Sequence, residues 1–308
     1  MNGGIEMLWT EKYRPNNLND IVGQEHFTMD AKSWVEEHNM PNVLLFGNPG
    51  NGKTAAGIAL AKTMLGDAFR DNFVEVNASD DRRLETVRTT IKSVAQSGTI
   101  GDVPFRIMLL DEMDGMTSDA QNALKRIMER YSSNIRFIIT CNDRNKIIFA
   151  LQSRCANYRF NPLSHEVILE VLQTILKKEE VERFSEDELS SFIAGGSLDL
   201  RRAITEVQAA KASNTSLQKQ IEIGLEEYSE GLELLLSNKN SALLHLQKLL
   251  VQGRSIKEIC IGLHDAVINN KTLEPKIKFK FLRAIGEAEW RSTTMTPKVL
   301  LSWMVGQV

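Results

Sequence analysis

The chain is poor in cysteine, in charge of one sign and in long apolar runs. Its 308 residues hold three cysteines, Cys141, Cys155 and Cys260, far apart and without a C-x-x-C pair. That spacing suggests neither a zinc site nor a disulfide framework. No apolar run approaches the roughly 18 residues needed to span a bilayer, so no membrane partner is expected. Residues Met1 to Met7 lack the apolar centre of a secretory signal, which together with the unpaired thiols reads as an intracellular protein. Lysine and arginine number 37 against 40 aspartates and glutamates, a formal net charge of −3. Nucleic-acid binders are often basic overall. A large DNA footprint is therefore disfavoured, while a local basic stripe stays open. No repeat, low-complexity tract or long charge run breaks the chain.

What is present is a phosphate-binding loop. Gly47-Asn48-Pro49-Gly50-Asn51-Gly52-Lys53-Thr54 spells G-x-x-x-x-G-K-T. The apolar run Val43 to Phe46 precedes it and a helical run, Ala55 to Met64, follows. Glycines let the backbone bring its N–H groups close to an anion, and the next helix points its positive end at the same place. Lys53 supplies a charge for the β- and γ-phosphates, Thr54 a hydroxyl for Mg²⁺, and Ala55 continues the cradle. Further on, Arg106-Ile107-Met108-Leu109-Leu110-Asp111-Glu112 has the form of a buried parallel strand ending in two acids. Asp111 suits a water-mediated Mg²⁺ contact, and Glu112 suits a general base acting on the attacking water. A strand is expected at Phe73 to Asn77 and another at Arg136 to Asn142. Ser118-Asp119-Ala120-Gln121 has the S-x-x-Q form of a capping box, opening a helix in which Lys125 and Glu129 stand four apart.

Three helical segments follow the Asn161-Pro162 break. Ser164 and Ser185 are expected to cap the first two, the second with Glu188, and the third carries Leu200, Ala203, Ile204 and Val207. From about Ile223 the chain is leucine-rich and helical, with about five helices and no ligand spacing. A chain of 308 residues suggests two or three domains. The divisions expected here are an α/β nucleotide-binding domain over 1–161, a helical lid over 162–222 and a helical domain over 223–308.

Several strings together resemble one family. Trp9-Thr10-Glu11-Lys12-Tyr13-Arg14-Pro15 with Ile21-Val22-Gly23-Gln24, then Asn77-Ala78-Ser79-Asp80-Asp81-Arg82, then Ser153-Arg154-Cys155, are similar to the replication factor C small subunits. These are AAA+ clamp-loader ATPases of archaea and eukaryotes. The resemblance implies an AAA+ P-loop parallel sheet core, a three-helix lid and a C-terminal all-helical collar. It implies that Thr10 and Val22 touch adenine, that Asn142 is the sensor 1 residue orienting the hydrolytic water, and that Arg154 acts in trans on a neighbouring subunit's ATP. Asp199-Leu200-Arg201-Arg202-Ala203 is similar to the sensor 2 motif, with Leu198 in place of the family's glycine, and assigns Arg201 to the γ-phosphate.

For DNA the resemblance points to Arg82, Arg88 and Lys92, and more weakly to Lys125 and Arg126. A solvated surface stripe is the plain alternative for Arg88 and Lys92. Arg83 and Leu84 stand where glycine and isoleucine follow the family's first arginine.

Implied partners are a large clamp-loader subunit, further small subunits in a pentamer, a sliding clamp and the backbone of primer–template DNA. The compartment would be cytoplasmic in an archaeal or viral source and nuclear in a eukaryotic one. Weighed against this are another AAA+ DNA machine, such as a helicase loader or branch-migration motor, and a scaffold subunit that does not hydrolyse ATP. A scaffold would predict damage at Lys53, Glu112 or Asn142, and all three are intact.

Overall fold

The computed structural model describes residues 7–78, 89, 91–94, 96–195, 199–213, 217–252, 254–292 and 294–308, without the side chains of 195 and 218–226. Two compact units divide between residues 214 and 215.

Among the described residues of the first unit there are five strands: β1 (Val43–Phe46), β2 (Phe73–Asn77), β3 (Arg106–Asp111), β4 (Ile135–Cys141) and β5 (Ala156–Arg159). They form one parallel sheet in the order β2-β3-β4-β1-β5. The pleat sorts alternate side chains to opposite faces. Val43, Leu45, Ile107, Leu109 and Ile138 pack with Phe27, Leu60 and Phe160 on one face. Leu44, Met108, Leu110, Phe137 and Ile139 pack with Leu124 and Met128 on the other. Both faces are covered, which is why the central strands β1, β3 and β4 read as apolar runs rather than alternating ones. Each such buried aliphatic or aromatic side chain contributes about 1.5–3 kcal/mol. Gly57 lets the helix Lys53–Leu65 lie close on the sheet: a Cβ there would meet Ile138 Cγ2 at 3.0 Å.

Strand order decides where chemistry can gather. Strands β1 and β3 flank β4, so the turns leaving all three open on the same carboxyl edge, the place where open α/β sheets bind ligands. The three following helices, His165–Lys178, Glu186–Gly195 and Leu200–Ser213, belong to this first unit. Ser164 caps the first through Val167 N, and Ser185 Oγ accepts from Glu188 N at 3.1 Å, as expected from sequence.

The second unit holds, among the described residues, five helices: Leu217–Ser237, Lys239–Val251, Ile256–Asn269, Pro275–Arg291 and Pro297–Gln307. Leu232, Leu246, Leu263, Phe281 and Leu300 anchor its core. At Gly262 a Cβ would stand 2.3 Å from the Tyr228 ring, so only glycine admits this close helix–helix approach. The helix Leu217–Ser237 runs through the expected 222/223 boundary, and the division between compact units falls eight residues earlier, 222 against 214.

One cap differs from its expectation. The helix over Ser118–Arg130 is capped by Thr117, whose side chain accepts from Ala120 N; Ser118 is already its first residue. Gln121 is freed from any capping role. Its amide donates to the Met116 carbonyl at 3.0 Å and the Lys146 carbonyl at 2.9 Å, and its oxygen accepts from Ile148 N at 2.8 Å. With 1 % of its surface exposed, this amide ties the turns after β3 and β4 together.

Candidate nucleotide-binding site

The loop between β1 and its helix is set by left-handed backbone. Gly50 has φ +82° and Gly52 φ +84°, conformations that side-chain-bearing residues rarely adopt. Asn51 is buried and its amide donates to the Phe160 carbonyl at 3.1 Å, pinning the loop to the end of β5. Lys53 is folded into the loop. Its Nζ donates to the Gly47 carbonyl at 2.7 Å, the Asn48 carbonyl at 2.9 Å and Asn142 Oδ1 at 3.0 Å. Burial pushes the Lys53 pKa below the usual lysine value, against the pull of Asp111 and Asp114. A cation held by three neutral oxygens in a half-desolvated loop is poised for an anion.

The end of β3 faces it. Thr54 Oγ1 donates to Asp111 Oδ1 at 3.0 Å and Oδ2 at 3.1 Å. The Thr140 hydroxyl donates to Asp111 Oδ1 and accepts from the Glu112 backbone N–H at 3.2 Å. A hydroxyl and a carboxylate this close form an oxygen donor set that fits Mg²⁺, which takes one or two protein ligands and keeps phosphates and water for the rest. Among the described residues there is no group of three or more His, Cys, Asp or Glu side chains that could hold a metal ion.

Glu112 turns the corner with φ +53°, an uncommon conformation for a non-glycine residue, which aims it off the strand. Asn77 Nδ2 donates to Glu112 Oε2 at 3.4 Å. Asn77 was not among the expected site residues. It ends β2 and is the register partner of Asp111. A polar residue closing a strand was visible in the sequence, but its neighbour depends on strand order.

The N-terminal segment and the helix Leu200–Ser213 both contribute to the cleft. Thr10, Val22, Pro49 and Arg201 line it with the loop residues 50–55, Asp111, Glu112 and Asn142. The charge of Arg201 reaches Lys53. The short helix Trp9–Lys12 lies on Leu200–Ser213: Trp9 N donates to Gln208 Oε1 at 2.9 Å, and Lys211 Nζ sits 5.2 Å from the Trp9 ring centroid.

Glu179 fastens the segment further. Its Oε1 accepts from Lys12 Nζ and from the Tyr13 hydroxyl, each at 2.6 Å. Those two hydrogen bonds, Lys12 first, hold the Glu179 carboxyl below its ordinary range. Because the folded-state value is depressed, this clasp is in force at neutral pH and is lost as acid drops the pH through the carboxylate range. Glu179→Ala is expected to weaken ATP binding by about tenfold, one lost charged hydrogen-bond set, with the fold retained. Titration with a fluorescent ATP analogue checks it, and unchanged affinity would show that the clasp does not hold the cleft.

The structure brings Lys53, Thr54, Asp111, Glu112 and Asn142 to one point. It does not bring Arg154 there. Arg154 is exposed, is not among the cleft-lining residues, and pairs with Glu129. The expected Lys125–Glu129 pair is replaced by this longer-range one, because the helix end faces the turn that carries Arg154. Arg82 and Arg88 lie outside the described residues. Lys92 and Arg126 are exposed and Lys125 is half-buried. Burial pushes the thiols of Cys141 and Cys155 up to about 12, which disfavours the nucleophilic thiolate.

Comparison with known proteins now bears on this arrangement. Residues 43–163 match the model of the "ATPase family associated with various cellular activities (AAA)". The chain is 38 % identical to the replication factor C small subunit of Methanococcus vannielii, over 93 % of each chain. It is 40 % identical to the one of Archaeoglobus fulgidus, over 93 % of this chain and 92 % of that one. The chain belongs to the replication factor C small-subunit family. It is an AAA-family ATPase. A second level of likeness concerns the fold alone. The branch-migration motor RuvB of Thermotoga maritima superposes with a TM-score of 0.54 at 14 % identity, covering 76 % of this chain and 85 % of that one. Among the described residues no helix is long and apolar enough to cross a membrane.

Proposed function

We propose that this replication factor C small subunit works in a clamp loader with a large subunit and further small subunits in a pentamer. ATP binding would assemble a spiral that opens a sliding clamp and grips primer–template DNA. Hydrolysis, triggered by DNA, would release the closed clamp. The observation that carries the reading is 38 % identity to a replication factor C small subunit over 93 % of the chain, with Lys53, Thr54, Asp111, Glu112 and Asn142 all intact and converging on one cleft.

The residues divide the work as follows. Thr10 and Val22 hold adenine. The backbone of residues 47–55 and Lys53 hold the phosphates, Lys53 exchanging the Gly47 and Asn48 carbonyls for phosphate oxygens. Thr54 and Asp111 would hold Mg²⁺, which supplies charge neutralisation across the β- and γ-phosphates. Glu112 accepts the proton of the attacking water, and Asn142, 3.0 Å from Lys53 Nζ, orients that water beside the γ-phosphate. Arg201 reaches the γ-phosphate from the lid. Arg154 completes the site of the next subunit, where a guanidinium stabilises charge on the transferring group.

The proposed DNA contacts, Arg82, Arg88 and Lys92 with Lys125 and Arg126 in support, would meet backbone phosphates, so the grip should fall with salt and ignore sequence. The reading is tested by loading a labelled sliding clamp onto circular primed DNA with the large subunit and this chain. Clamp retained on DNA only when both ATP and this chain are present supports it. Loading that proceeds without this chain rules it out.

A further inference from the structure

Arg154 is already held within its own chain. Its Nε donates to Glu129 Oε1 at 2.9 Å, its Nη2 donates to the same oxygen, and its Nη1 donates to the Ala150 carbonyl at 2.6 Å. Both anchors are fixed. Glu129 lies in the last turn of Ser118–Arg130, whose Leu124 and Met128 are buried. Ala150 lies in the helix Phe149–Gln152, seated by the fully buried Leu151.

An arginine offers five N–H donors in a planar fork. Three are engaged here, which leaves one on each terminal nitrogen. A carboxylate in the last helical turn meets the negative end of the helix dipole, so Glu129 is unfavourable there without a cation. Arg154 is that cation. The pair is partly exposed, and exposed ion pairs add little to stability. Its consequence is orientation: the planar group is fixed by two anchors on two different helices.

We propose that Glu129 is a positioning residue for Arg154. It sets the plane of the guanidinium before subunits meet, so that the remaining donors reach a neighbour's transferring phosphoryl group without a search over rotamers. This rests on the reading that Arg154 acts in trans. Preorganised donors stabilise a transition state more than mobile ones, because no reorganisation is needed when charge develops.

The test uses the assembled complex with large subunit, sliding clamp and primed DNA. Glu129→Ala should lower kcat for ATP hydrolysis by about tenfold or more, as for a misplaced catalytic group, with KM for ATP unchanged. Glu129→Gln keeps an acceptor oxygen at the same place and should recover most of that loss. Glu129→Ala combined with Arg154→Ala should be no slower than Arg154→Ala alone, since both act through one group.

A kcat unchanged or raised by Glu129→Ala, the latter marking a lock instead of a guide, overturns the proposal. So does a double variant slower than Arg154→Ala. If Arg154→Ala itself leaves hydrolysis intact, the trans reading fails and takes the proposal with it. A loss with Arg154→Ala but none with Glu129→Ala or Glu129→Gln sinks the positioning role alone.

Discussion

Arg154→Ala is expected to lower ATP hydrolysis by the assembled clamp loader about 10³-fold or more, the range for an arginine supplied in trans. ATP binding by the variant should equal that of the unaltered chain. The reason is spatial. The cleft proposed for nucleotide is lined by Thr10, Val22, the loop 49–55, Asp111, Glu112, Asn142 and Arg201, and Arg154 is not among them. Its guanidinium stands on the surface, bonded to Glu129 and Ala150. Removing it should therefore leave this chain's own nucleotide contacts untouched and deprive a neighbour. Single-turnover hydrolysis beside equilibrium nucleotide binding separates the two effects. A variant that loses binding and hydrolysis together would place Arg154 in its own site.

Glu112→Gln should have the second largest effect, a fall in kcat of about 10²–10⁴-fold, the contribution of a positioned general base. The amide keeps the size of the side chain and an oxygen to accept from Asn77 Nδ2, which lies 3.4 Å from Glu112 Oε2. What is lost is the capacity to take a proton. Asp111, Thr54 and Lys53 are unaltered, so ATP should bind normally and remain unhydrolysed. Clamp opening, which needs binding alone on this account, should persist while release of closed clamp stalls. Rapid-quench hydrolysis with a parallel clamp-opening signal tests this, and a variant that hydrolyses at the normal rate would remove Glu112 from the mechanism.

Much of the site was legible because its chemistry is carried by contiguous strings. Glycines before Lys53-Thr54, two acids closing an apolar strand and a polar residue after Thr140-Cys141 each declare a role within a few residues. The folded chain then places those strings at one sheet edge. What escaped reading depends on distance along the chain. Asn77 meets Glu112 because β2 lies beside β3, an adjacency that no local pattern specifies. Glu179 clasps Lys12 and Tyr13 across 167 and 166 residues. Glu129 turns to Arg154, 25 residues on, instead of to Lys125 on its own helix. Thr117 rather than Ser118 caps its helix, although the S-x-x-Q spelling begins at Ser118. Local rules located the groups, and tertiary contacts decided their partners.

ATP hydrolysis by this chain is expected to be coupled to a clamp and to primed DNA, with the site completed between subunits. Steady-state ATP hydrolysis by the chain assembled with its large subunit, measured alone, with sliding clamp, and with clamp plus primed DNA, tests that most directly. The rate should rise with clamp and rise further with primed DNA, and Arg154→Ala should abolish it. A rate indifferent to both clamp and DNA would contradict it.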